Sequence, residues 1–257
     1  LMAPMVHWPE VMVTYDETSK WLFSADAFGA FGAINGSLYA DEYNVDFDLL
    51  PEARRYYTNI VGKYGRQVLA LLEKAANLDI AMILPLHGPI LRQDMAYYIE
   101  KYSKWASYTP EEHGVVIAYG SIYGNTEKAA ELLAAMLAER GERNIRVYDV
   151  SGWHPSYILS ECFRFDRIVF ASSTYNMEIY PPMETLLLEL KGHNMQNRTV
   201  SVIENGSWAP QSGKKMRELL AQMKDMRVLD SEISIRSALT EADTEALAAL
   251  ADLLAAS

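Results

Sequence analysis

Two rhythms run along the chain. After residue 113, short continuous apolar runs alternate with amphipathic stretches, and the spacing predicts strands at 114–119, 145–150, 167–171, 199–203 and 232–235. Between them Ala130, Leu133, Ala134 and Leu137 share one face of a helix, and further helices are predicted at 182–190, behind a Pro pair, and at 213–223. Thr240 with Asp243 forms a capping-box start for a final Ala/Leu helix. Five strands separated by helices make a parallel sheet covered on both faces, a doubly wound α/β unit.

Residues 1–105 keep a different rhythm. The pattern predicts a hairpin from 11–15 and 21–24, a long helix over 51–76 with Pro near its start, a buried strand at 80–84 and a second helix at 91–105. These elements make only a partial α/β layer. The polar, Pro-containing stretch 106–113 separates the two rhythms, so the expected domains are 1–108 and 109–257. No internal repeat or low-complexity tract interrupts either.

Composition narrows the classes. With 257 residues, half of them hydrophobic, the chain can bury a substantial core, and its net charge of −11 is unlike the basic footprint of a nucleic-acid binder. That excess also repels anionic lipid, and apolar stretches such as 80–86 are far too short to span a bilayer. No nucleic-acid or membrane partner is therefore expected. The lone Cys162 excludes an intrachain disulfide framework and fits a reducing compartment, with cytoplasm expected; its apolar neighbours suggest a buried structural thiol. The opening residues lack a signal peptide's charged and apolar regions, and the chain starts on a Leu already dense with pattern, as if entered in mid-domain.

Chemistry concentrates in three loops at the ends of predicted strands. The first, Ser121, Ile122, Tyr123, Gly124, Asn125 and Thr126, combines small residues, hydroxyl and amide groups and the start of a helix. Such a turn converges backbone N–H groups and the helix dipole on one anion. It lacks the G-K-[ST] ending of a P-loop and any cation before Lys128, so a phosphate monoester suits it better than a triphosphate. The second loop holds Ser173, Thr174, Tyr175 and Asn176; the third holds Asn205, Gly206, Ser207 and Trp208. A doubly wound sheet places its ligand at such strand ends, and Tyr175 and Trp208 are candidates to lie against a flat ring.

Together these loops resemble the three FMN-binding loops of flavodoxins over residues 114–257. In the first domain His7, Asp26 and His87 offer imidazole and carboxylate donors suited to iron, zinc or manganese, and a carboxylate can bridge two ions. The intervals of 18 and 60 residues between them, upstream of a flavodoxin-like domain, resemble the flavodiiron proteins, also called A-type flavoproteins.

That resemblance implies a partial metallo-β-lactamase-like αββα segment followed by a flavodoxin-like doubly wound five-stranded parallel sheet. It further implies one FMN, two iron ions with His7 on one, His87 on the other and Asp26 bridging, and a head-to-tail homodimer. A rubredoxin-like protein or a flavin reductase would supply electrons, and O2 would be reduced to water or NO to N2O. The family's first ligand cluster, His-x-Glu-x-Asp-His, is absent here. The expected ligand set is thus incomplete, and the chain reads as the C-terminal part of a longer protein. Two other readings remain: a flavodoxin-like electron carrier without a functional metal, and a metallo-β-lactamase-like hydrolase with an appended domain, which the three loops disfavour.

Overall fold

A computed structural model describes residues 1–257, which divide by their internal packing into Leu1–Glu111 and Glu112–Ser257. In the first unit β1 (Thr14–Asp16) and β2 (Trp21–Ala25) form the expected hairpin, and β2 continues in parallel with β3 (Met82–Pro85). Alternation along β2 buries Leu22 and Ser24 and exposes Trp21 and Phe23, so this small sheet has one covered face.

The long helix expected over 51–76 is broken. It runs as α1 (Leu50–Tyr56), a widened turn at Tyr57–Val61, a tight turn at Gly62–Tyr64 and α2 (Gly65–Ala75). Gly65 explains part of the break: a Cβ there would sit 2.2 Å from the Ala106 carbonyl oxygen, at the end of α3 (Met95–Ala106). The crossing of α2 and the end of α3 requires a residue without a side chain. Around it Tyr57, Tyr102 and Trp105 pack as a buried ring cluster with centroids 4.9–5.4 Å apart.

The second unit alternates β4 (Glu112–Gly120), α4 (Asn125–Glu139), β5 (Ile145–Asp149), α5 (Pro155–Arg164), β6 (Phe165–Tyr175), β7 (Glu178–Ile179), α6 (Pro181–Gly192), β8 (Arg198–Asn205), α7 (Ser212–Leu220), β9 (Met226–Val228), β10 (Ile233–Ile235) and α8 (Glu241–Ala255). Five parallel strands lie in the order β5-β4-β6-β8-β10, the 2-1-3-4-5 order of flavodoxin-like sheets. Two short strands fall outside the expected five: β7 folds back antiparallel on β6, and β9 runs beside β8.

Central β4 is buried on both faces, which is why its apolar run is continuous rather than alternating. Val115 and Ile117 meet Leu133 and Leu137 of α4 and Leu247 and Leu250 of α8 on one side. Helices α5, α6 and α7 pack in a row on the other. The predicted Thr240/Asp243 capping box is formed at the start of α8. Cys162 is fully buried in α5, and burial pushes its thiol well above the ordinary range, in keeping with a structural role.

At the N-terminal edge of this sheet Arg167, 1% exposed, bonds to Glu142, Asp166 and the Leu254 carbonyl. Burial alone would raise the Glu142 carboxyl, yet hydrogen bonds from the Asn144 amide and Arg167 outweigh it and hold it below its ordinary 4.5. The Asp166 carboxyl is likewise lowered from 3.8, its burial offset by the Gly114 amide and His113.

Depressed carboxylates stabilise the fold above their unfolded values and lose that contribution as pH falls through the folded ones. The thermal midpoint of this unit should therefore drop as pH falls below 4.5. Glu142→Gln should cost about 1–3 kcal/mol at neutral pH by leaving buried Arg167 donors short of an acceptor, and should flatten the acid slope. An unchanged midpoint together with an unchanged slope would count against the assignment.

Candidate functional site

Three loops leave the C-terminal ends of β4, β6 and β8, and parallel register brings them side by side: Gly120 lies opposite Ser172, and Ser173 opposite Asn205. They enclose one cleft of about 660 Å3, within the range of small-molecule cofactor sites. Of the fourteen residues expected there, thirteen line it: Ser121, Ile122, Tyr123, Asn125, Thr126, Ser173, Thr174, Tyr175, Asn176, Asn205, Gly206, Ser207 and Trp208. Gly124 does not line the cleft but turns the loop, with φ +83° as the residue before α4.

The loops are tied to one another. Thr126 Oγ1 and Ser173 Oγ lie 3.0 Å apart, joining the first loop to the second. The Gly124 amide donates to Ser121 Oγ at 3.0 Å, leaving that hydroxyl's own proton available to a ligand. The hydroxyl of Thr174 is committed elsewhere, since its oxygen accepts from the Gln211 and Ser212 amides at the start of α7. Thr174 therefore has no uncommitted hydroxyl to offer the cleft. Tyr123 and Trp208 stand out at 91% and 85% exposure, and Tyr175 is half exposed, so the aromatic groups form the open side.

Met177, Ala209 and Ser237 also line the cleft and were not anticipated. Ser237 follows β10; its amide donates to Asn205 Oδ1 at 3.1 Å, and Asn205 Nδ2 donates to its carbonyl at 3.0 Å. The strand-end rule that picked the other three loops applies equally to this one.

In the first unit Asp26 follows β2 and His87 follows β3, and because these strands are parallel neighbours both side chains emerge at one sheet end. His7 joins them from the N-terminal turns. Its Nδ1 is 3.1 Å from Asp26 Oδ2, while His87 Nε2 is 3.5 Å from Asp26 Oδ1. Tyr56 of α1, absent from the expected set, donates to Asp26 Oδ1 at 3.0 Å. Burial and the Asp26 charge hold its phenol well above the ordinary value, so it remains a donor. An apolar cleft of about 470 Å3, walled by Phe31, Ile60 and Leu86, opens beside the group.

The donor types suit a metal, and a carboxylate between two imidazoles has the form of a bridge. The set is nonetheless too small: no group of three or more His, Cys, Asp and Glu side chains is arranged to hold a metal ion. By themselves these residues do not fit a two-iron centre.

This geometry defines an α/β protein whose second unit carries a flavodoxin-like sheet with one cleft at the C-terminal ends of its strands. The family model for flavodoxin matches residues 117–250, and that for the ODP family beta lactamase matches residues 1–88. The anaerobic nitric oxide reductase flavorubredoxin of Aeromonas hydrophila is 31% identical over 80% of this chain and 42% of its own length. An uncharacterised protein of Methanocaldococcus jannaschii is 28% identical over 93% of this chain and 59% of its own. Among solved structures, rubredoxin oxygen:oxidoreductase from Desulfovibrio gigas superposes with a TM-score of 0.90 at 30% identity, over 99% of this chain and 63% of that one. The flavodiiron protein of Giardia intestinalis shares the fold with a TM-score of 0.93 at 24% identity, over 100% of this chain and 63% of that one. The chain thus spans between 42% and 63% of the length of these proteins. It belongs to the flavodoxin family, with the lactamase-then-flavodoxin domain order of the flavodiiron proteins.

Proposed function

We propose that the chain binds FMN and passes electrons through it. The observation that supports this most is the convergence of three loops on one cleft beside the N-terminus of α4. The amides of Ile122, Tyr123, Asn125 and Thr126, with the side chains of Ser121, Asn125 and Thr126, would hold the phosphate. Tyr175 and Trp208 would flank the ring, and Asn205, Gly206 and Ser207 with Ser173, Thr174 and Asn176 would meet its edge. FMN would supply two-electron uptake with one-electron release, while the chain supplies position and the exclusion of water.

In the fuller reading, a rubredoxin-like protein or flavin reductase would be the electron donor, and His7, Asp26 and His87 would be part of the ligand set of a diiron centre, which would supply the reduction of O2 to water, NO to N2O, or both. The rubredoxin oxygen:oxidoreductase of Desulfovibrio gigas and the nitric oxide reductase flavorubredoxin of Aeromonas hydrophila, which this chain resembles, support this. Apolar groups rimming both sites, Tyr123 and Trp208 on one and Trp8 and Leu86 on the other, suit a head-to-tail homodimer. The incomplete donor set favours a second reading for the chain by itself, an electron carrier without a working metal site. No helix is long and apolar enough to cross a membrane.

Mass spectrometry of the cofactor released by heat tests the flavin. One FMN per chain is expected, because the cradle closes on a terminal phosphate; FAD or no flavin would overturn the reading.

A further inference from the structure

A negative charge stands in the first turn of α4, beside the loop proposed to hold the phosphate. Tyr119, near the end of β4, donates its hydroxyl to Glu127 Oε1 at 3.1 Å. Glu127 sits in the first turn of α4, where a carboxylate ordinarily reaches back to the amide of the residue that caps the helix. Here that residue is Gly124, whose amide is taken by Ser121 Oγ. The second oxygen of Glu127 lies close by, since a Cβ on Gly124 would be 3.7 Å from it. The partner the structure gives the Glu127 carboxylate is the Tyr119 hydroxyl rather than a Lys or Arg, and the neighbouring Lys128 is exposed. The positive end of α4 is thus within reach of two competitors, the carboxylate of Glu127 and an incoming phosphate.

We propose that Glu127 is a specificity-determining residue of the flavin phosphate site and Tyr119 its positioning residue. The Tyr119 hydroxyl draws the carboxylate away from the α4 amides so that a phosphate monoester can occupy them. The repulsion that remains sets how tightly FMN is held relative to riboflavin, the same ring system without the phosphate. This rests on the FMN reading above. The Tyr119 phenol is pushed up to about 12 by burial and by Glu127, so the restraint persists across the neutral range.

The test compares FMN and riboflavin by quenching of flavin fluorescence, using the flavin-free 257-residue chain and three variants. Glu127→Gln should tighten FMN about tenfold, the order expected from removing one nearby like charge at a protein surface, and leave riboflavin unchanged. Tyr119→Phe keeps the ring packing but frees the carboxylate, and should weaken FMN about tenfold with riboflavin again unchanged. The double variant should match Glu127→Gln, because Tyr119 acts only through the carboxylate. Parallel shifts for both flavins would mark a merely structural pair and overturn the proposal. So would an unchanged FMN-to-riboflavin ratio, or a double variant that keeps the Tyr119→Phe loss. If neither flavin binds the unaltered chain, the FMN reading itself falls.

Discussion

Glu111→Ala is expected to destabilise the first unit by about 3–5 kcal/mol, a large part of the 5–15 kcal/mol that holds a typical domain. The Glu111 side chain is fully buried at the end of this unit, where it accepts from Arg54 Nη1 at 3.1 Å and from the Trp105 indole. Lys101 Nζ lies 3.5 Å from its second oxygen. One carboxylate thus ties α1 to α3 and to the segment that follows α3. Removing it takes one counter-charge from the buried Arg54 guanidinium, which costs far more than a lost surface pair.

The companion variant separates charge from packing. Arg54→Met combined with Glu111→Leu replaces the pair by apolar groups of similar volume and should recover most of the loss, while Lys101 turns its charged end to solvent. Hydrogen exchange resolved by peptide would locate the effect: residues 1–111 should lose protection, and residues 112–257 should keep it. A Glu111→Ala chain with protection unchanged in residues 1–111 would show that the buried carboxylate is not needed.

The second unit was nearly readable from its pattern because parallel strands buried on both faces write themselves as apolar runs. Even so, the pattern predicts no helix where α5 lies, only apolar neighbours around Cys162. The cap position of α5 holds no Ser, Thr, Asp or Asn; the cap is His154, whose Nδ1 accepts from the Ser156 amide at 3.2 Å, followed by Pro155. Pro at the first helical position was the available signal. The short β7 and β9 carry too few residues for any period to show.

In the first unit the limits have another cause. The break between α1 and α2 depends on Gly65 meeting Ala106, 41 positions away in the sequence, and no local pattern records such a crossing. Tyr56 was missed for the same reason. Its partner Asp26 lies 30 residues away on another element, and a tyrosine on an amphipathic helix looks like core until the fold aims its hydroxyl. Ser237 differs, because it stands at the end of a strand that had been predicted.

The 257-residue chain, loaded anaerobically with ferrous iron and then desalted, should retain well under two ions per chain. Iron with nitrogen and oxygen ligands prefers a fuller coordination sphere than His7, Asp26 and His87 can provide, and two such spheres need a donor set at least twice this size. The structure shows how the three residues satisfy themselves instead. Each Asp26 oxygen faces one imidazole, and Oδ1 also accepts from Tyr56, so a metal would have to displace these contacts without gaining enough new ones. Because metal binding also requires free imidazole and carboxylate donors, weak occupancy should fall further as pH drops. The cleft at the ends of β4, β6 and β8 shares none of these residues, so on the proposed reading the desalted chain should still be yellow with FMN, but without O2 or NO reduction beyond that of the flavin. Elemental analysis beside flavin absorbance decides the matter. Two tightly held irons per chain would overturn the view that this donor set is incomplete, whereas iron-poor, FMN-bound chain would support the electron-carrier reading.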